Sequence, residues 1–471
     1  MTSHNSLKKF IFIFFILAIA GGLACYFLCK KEDVSLTTTK KVGDEIESVT
    51  NADISKICKA DKSWFPHNQT PEPDNKGFAS SSICEFHQWS WQMFLWLTQN
   101  DQSGNPRFLS FVTPESLLGM EHRGFMPRMK KNPKPKTFDE YLQAGSDAIL
   151  TDHQGRAIYY SQYINQDFVD FINSNDLTDP TKVQGFNPET PFSIGSIELK
   201  ASWKIVAEGE DMSGFFTMQT LVNKMVKKQG SIVIDPEQTE SVTVALVGFH
   251  IGGIVNGHPE MIWATFEHKK NAPNVAAQFT PETIISDKDF LFYTAGTKYA
   301  ACNVNVANTP NQKFDESTQI LSPVTEICRQ YEFGNDPTTP TNQIDNMKTN
   351  DNNIASLNKS VLLHLDPTAV WSNYHEVGAI WFEETNALKP NLSLATDDKL
   401  IGSLKLSNST IETFTQTQST VNNCFRCHNT LQRFPPEPSL APLPALNINI
   451  SHAFVNIYFW SQGLPKDAKE Q

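Results

Sequence analysis

The sequence predicts an α+β fold, a mostly antiparallel sheet packed by aromatic-rich helices, on three observations. From Ile197 to Ile205, apolar residues alternate with Glu198, Lys200, Ser202 and Lys204, the period of a half-buried strand with one wet face. Val242 to Ile251 (VTVALVGFHI) is apolar on both faces, as a central strand is, and Glu260 to His268 (EMIWATFEH) reads as a further strand. No regular helical pattern intervenes between these strands, which argues against a doubly wound parallel sheet.

In chain order, residues 1–9 precede an uncharged apolar run, Phe10 to Cys29, long enough to cross a hydrocarbon core of about 20 helical residues. The run continues past any small-x-small cleavage site and past the loose lipoprotein-like box at Gly22 to Cys25, so an uncleaved transmembrane signal anchor over 10–29 is expected, with a secreted protein or a lipoprotein as the alternative. Residues 30–52 are polar without periodicity and read as a spacer. An α+β body is expected over 53–334.

Within that body, Ser82 to Glu85 forms a capping-box pattern ahead of FHQWSWQMFLWLTQ, which predicts a buried helix. Its aromatic stripe (Phe86, Trp89, Trp91, Phe94, Trp96) reads as core. Gly252, Gly253, Asn256, Gly257 and Pro259 carry turn chemistry and predict a hairpin or broad loop between the two later strands. Residues 335–358 are rich in Asn, Asp, Thr and Pro and read as a polar surface loop. A C-terminal segment, 359–471, completes the chain; its stretch RFPPEPSLAPLPAL is extended in part and ISHAFVNIYFW closes it as a short apolar helix or strand.

That segment carries Cys424, Phe425, Arg426, Cys427 and His428, a C-x-x-C-H. Two thiols at this spacing can form thioethers to the two vinyl groups of one haem, and the adjacent imidazole can then ligate the iron. The competing meanings are a dithiol redox centre, half of a zinc site, or chance. A closed zinc site draws on a second paired knuckle that the chain lacks, and the polar run Thr415 to Asn423 is not the strand that precedes a thioredoxin-like dithiol. One covalent haem c is therefore expected, with Cys424 and Cys427 as its attachment points and His428 as the proximal iron ligand. The fold expectation becomes an α+β body with a C-terminal haem-bearing segment, and not an ordinary small cytochrome c module alone.

Attachment of c-type haem takes place outside the cytoplasm, which puts residues 1–9 in the cytoplasm and the body in the periplasm, tethered to a bacterial inner membrane. Lys8 and Lys9 on one side of the run are matched by Lys30 and Lys31 on the other, so flanking charge does not decide orientation. That compartment permits disulfides. Beyond Cys25, Cys29 and the motif pair, Cys58, Cys84, Cys302 and Cys328 remain. Proximity favours pairing Cys58 with Cys84 and Cys302 with Cys328, although four cysteines allow three connectivities and buried thiols are the alternative. The net charge of −12 discourages nucleic-acid or anionic-lipid binding and suits a basic redox partner, but also serves solubility.

Several blocks together resemble a known family. IELKASWKIV (Ile197 to Val206), LVGFHI followed by HPEMIWATFEHKKNAP (Leu246 to Pro273), AVWSNYHEVGAIWF (Ala369 to Phe382) and SNSTIETF leading into CFRCH are similar, in the same order, to bacterial monohaem cytochrome c-like proteins of unsettled role. The resemblance implies a covalent haem and says little about reaction. Some members carry a second His three residues after the one matching His250, where this chain has Gly253, so no role for that His transfers.

An ordinary small cytochrome c has a Met ligand after its haem motif; no Met follows His428 here. The candidates for the other side of the iron are His250, His258, His268, His375, Met261 and His452, with His250, buried on its strand, as the possible distal ligand and a hydrogen-bonded structural His as the competing meaning. His258 is expected to lie exposed in the turn. Arg426 and Arg433 are candidates to pair with haem propionates or are simply solvated. The expected function is one-electron transfer with a redox partner protein; the alternatives are a haem oxidoreductase or small-ligand sensor with an open iron site, and haem as a structural staple. The chain has no phosphate-binding glycine loop, G-x-S-x-G or H-E-x-x-H.

Overall fold

One long strand organises the sheet. The computed structural model describes residues 57–117, 137, 138, 140, 148–307, 309–336, 344–390, 400–416, 424–430 and 446–454. The expected N-terminus, anchor and spacer (1–52) lie outside them, as do residues 433–445 of the proline-rich stretch and Arg433 with them. Lys56–Gln471 forms one compact unit.

The strands are β1 (Thr137–Phe138), β2 (Tyr159–Ile164), β3 (Ile197–Ile205), β4 (Thr217–Lys228), β5 (Ser231–Val255), β6 (His258–His268), β7 (Lys313–Asp315), β8 (Ile320–Ser322), β9 (Tyr374–Phe382) and β10 (Leu400–Gly402). Eight form one sheet in the order β1-β4-β5-β6-β9-β10, with β3 also paired to β5 and β2 outside β3. All pairings in this sheet are antiparallel except β1 with β4. The α+β expectation therefore stands. β5 pairs its first half with β4 and its second half with β3 and β6, so the doubly apolar VTVALVGFHI is central, as its composition demands.

The helices include α1 (Ile83–Thr98), α2 (Gln166–Ser174), α3 (Ile344–His364) and the single turn α4 (Cys424–Cys427). The capping box of α1 is present, with the Glu85 carboxylate accepting from the Ser82 N–H at 2.9 Å. Its aromatic stripe is core: Phe94 stacks on Phe266 of β6 at 4.2 Å, and Phe86 stacks on Trp381 of β9 at 4.0 Å. Disulfides join Cys58 to Cys84 and Cys302 to Cys328, as proximity in the chain suggested.

Several expectations are corrected. Most of the supposed polar loop 335–358 belongs to α3, which runs on into the C-terminal segment as far as His364. Ile354, Leu357 and Val361 supply its buried stripe at helical spacing, and its asparagines bond into the core instead of to water. Asn358 accepts from the Trp91 indole N–H at 2.8 Å and donates to the Glu376 carbonyl at 3.0 Å. Gly252 and Gly253 lie inside β5, and only Asn256 and Gly257 make the turn. A Cβ on Gly253 would fall 2.5 Å from the Trp89 ring, so this glycine is the space into which α1 packs. Gly253→Ala is expected to cost about 1–3 kcal/mol through that overlap, read as a lowered urea midpoint; an unchanged midpoint would refute the packing argument.

Neither the membrane-spanning nor the metal-binding expectation finds support among the described residues, and the expected span 10–29 lies outside them. Among the described residues no helix is long and apolar enough to cross a membrane. Nor is any group of three or more His, Cys, Asp or Glu placed among them to hold a metal ion.

Candidate functional site

The two faces of the sheet differ in chemistry because β-strand side chains alternate. Leu199, Phe249, Ile251, Ile262 and Phe266 pack in the cluster that holds α1 and α3. Glu198, Lys200, Ser202, Lys204, His250, Thr265 and Glu267 occupy the other face. This face was expected to be wet and is not: Glu198, Ser202, Lys204, Thr265 and Glu267 are buried.

Part of its cover is the stretch just before the cysteine motif. Asn408 donates to Thr265 Oγ1 and to the Phe266 carbonyl, both at 2.9 Å. The Ser409 N–H and hydroxyl both reach Glu267 Oε2 at 2.7 Å, and Thr410 shares a 2.7 Å hydrogen bond with Ser202. Gly248 leaves the room: a Cβ there would meet Thr410 Oγ1 at 2.3 Å. The sequence blocks IELKASWKI, LVGFHI, MIWATFEH and SNSTIETF thus meet on one face of one sheet.

Beyond this cover, α4 presents the motif. The His428 N–H donates to the Cys424 carbonyl at 2.7 Å, closing the helical turn that carries the cysteines and imidazole. Phe425 is fully buried and stacks on Phe382 of β9 at 4.8 Å, which anchors α4 to the sheet. Cys424 is half-buried. The side chains of Arg426 and Cys427 lie outside the described residues.

His428 is held on three sides. Its Nδ1 lies 2.8 Å from the Ile450 carbonyl, Trp263 of β6 is 4.1 Å away between ring centroids, and His452 stacks on it at 3.6 Å. A carbonyl can only accept, so Nδ1 carries the proton and Nε2 carries the lone pair. Burial first, and then His452 beside it, push the imidazole well below its ordinary pKa and keep it neutral near pH 7. A neutral imidazole whose Nδ1–H is fixed by a backbone carbonyl is oriented to ligate through Nε2.

Of the other expected ligands, His452 and His250 lie near His428, and each of the candidates has its own packing. His250 Nε2 sits 3.0 Å from Glu412 Oε1 in the covering segment. His452 stacks flat on His428 and does not oppose it edge-on. Met261 is buried in the apolar cluster that includes Trp263 and Phe425. His258 is not exposed in the turn: it is buried, with Nδ1 at 2.8 Å from Glu260 Oε1 and its ring edge-on to Phe86. His268 stacks on Phe215 at 3.5 Å and is pushed down to about 3, chiefly by burial. His375 lies beside Arg329, and burial pushes it down to about 3 as well.

No family model, curated protein or solved structure matches the chain. The family resemblance rests on its residues alone.

Sequence reasoning missed Glu198, whose buried carboxyl accepts from the Ser451 hydroxyl one residue after Ile450. Desolvation pushes it up to about 7. It also missed the Lys204 cluster, where Nζ lies 3.1 Å from Asp152 Oδ2 and 2.6 Å from Glu210 Oε2. The only signal was the charge in IELKASWKI, which reads equally as a solvated face.

Proposed function

We propose that this chain carries one haem c, attached through Cys424 and Cys427, with His428 as its proximal ligand, and that it transfers single electrons to or from a redox partner protein in an oxidising compartment outside the cytoplasm. The observation that carries the reading is the His428 imidazole, neutral, with Nδ1 on the Ile450 carbonyl and Nε2 left for a ligand. The residues fit the group in a second respect. Haem iron takes four ligands from its own macrocycle, so it asks for one or two protein side chains and not a cluster of three. Bound there, haem would supply a one-electron couple. The chain would hold its attachment turn through Phe425, fix the imidazole tautomer through Ile450 and shield the ring with Trp263. The disulfides Cys58 to Cys84 and Cys302 to Cys328 support the oxidising compartment.

A second reading, an oxidoreductase or small-ligand sensor with an open coordination position, is favoured by the pairing of His250 with Glu412 and the flat stacking of His452. The full-length chain, expressed in a periplasm with haem-attachment machinery, is expected to keep haem stain in a denaturing gel, and Cys427→Ser to lose most of it. Low-spin bands indifferent to carbon monoxide would favour the electron carrier. A high-spin spectrum that shifts with carbon monoxide would favour the open site, and wild-type protein without covalent haem would end both readings.

A further inference from the structure

A second site lies at the start of β9, where a cavity of about 420 Å³ opens among Lys269, Arg329, His375, Ile285, Phe290 and Leu362. The volume is that of a small-molecule pocket. No carboxylate lines it. Arg329 is buried and ion-paired to Glu267, and its guanidinium also donates to Asn274, yet its Nε has no hydrogen-bond partner among the described residues. His375 Nδ1 is likewise buried without a partner among them. Burial keeps this imidazole neutral, pushed down to about 3. Lys269, also in the lining, is exposed. Glu332, an acid near Arg329, is drawn to the Asn274 amide at 2.9 Å.

Buried polar atoms left unpaired are costly, and two of them beside one cavity mark a place where something else completes the bonding. We propose that this cavity binds a small organic carboxylate with an apolar or aromatic body, the carboxylate taken by Arg329 Nε–H, His375 and the Lys269 ammonium, and the body by Ile285, Phe290 and Leu362. A carboxylate suits the guanidinium edge; no acid lines the cavity, and Glu267 beside Arg329 is already taken up by the guanidinium and by Ser409. The apolar wall distinguishes this ligand from a bare inorganic anion. The site owes nothing to the cysteine motif, so it stands or falls separately from haem attachment.

The test titrates benzoate, and its neutral isostere benzamide, into the full-length protein by calorimetry. Saturable benzoate binding is expected, with benzamide weaker by about tenfold because it brings no charge to the unpaired donors. Lys269→Glu, at an exposed position, should weaken benzoate by about fivefold or more, and Leu362→Trp should block it by filling the apolar end. Cys427→Ser should bind benzoate like the wild type, which separates this site from the haem reading. Absence of saturable benzoate binding, equal affinity for benzamide, or unchanged binding in Lys269→Glu and Leu362→Trp would each overturn the proposal.

Discussion

Lys204→Met is expected to destabilise the protein by about 3–5 kcal/mol, the cost of leaving the buried Asp152 carboxylate, and the partly buried Glu210 one, without their counter-charge. Lys204 is fully buried on β3, and its ammonium touches Asp152, Glu210 and the Ile205 carbonyl, the last at 3.0 Å. Asp152 is itself fully buried; its Oδ1 accepts from the Gln154 and Arg156 N–H groups, each at 2.9 Å, and its Oδ2 has only the lysine. Methionine retains the aliphatic stem and removes the charge, so loss of packing is a minor contributor. The measurement is the urea midpoint of the variant against wild type. A loss below about 1 kcal/mol, the range of solvent-exposed pairs, would show that water reaches this cluster and that the face is wet after all.

The same cluster marks where reading the sequence reaches its limit. Period-two alternation correctly placed β3, because strand geometry is local. The inference from polar to wet failed because what covers Lys204, Glu198 and Thr265 comes from elsewhere in the chain. α3 fails in the same manner. Its asparagines lower helix propensity and mimic a loop, but Asn350 accepts from His87 at 2.9 Å, opposite the His87 to Glu376 contact at 2.8 Å, and these partners lie on α1 and β9. The capping box of α1, the central strand and both disulfide pairings were legible because each depends on nearby residues or on composition alone. Of the candidate site, the cysteine motif was legible as a pattern. The Ile450 carbonyl that fixes His428 was not, since any residue type supplies a carbonyl. Gly253 is instructive in the other direction: three residues from His250 on a strand is the opposite face, and Trp89 already fills the space there, so a His at 253 would point toward α1 and away from His428.

Glu198 should make stability fall with rising pH across a defined window. Desolvation lifts its folded pKa from 4.5 to about 7, against the opposing effects of the Ser451 hydroxyl and the Ala453 backbone. Below pH 4.5 the carboxyl is protonated in both the folded and unfolded chains, and its contribution is fully present. Between 4.5 and about 7 the unfolded chain releases the proton while the folded one retains it, so stability drops, by about 3 kcal/mol in all at 1.36 kcal/mol per unit. Above about 7 the contribution is gone. Glu198→Gln keeps an acceptor for Ser451 and removes the titration, so the variant should be the more stable protein at pH 8 and should lose most of this slope. Other lifted carboxyls, Glu376 and Asp351 among them, are present in both proteins and cancel in the difference. Equal urea midpoints for wild type and Glu198→Gln at pH 5 and pH 8 would sink the assignment. The consequence reaches the motif, because Ser451 comes directly after the carbonyl that holds His428. If ionised Glu198 loosens that segment, the His428 ring should be the first aromatic to lose its ordered environment as pH rises through 7, and Glu198→Gln should prevent it.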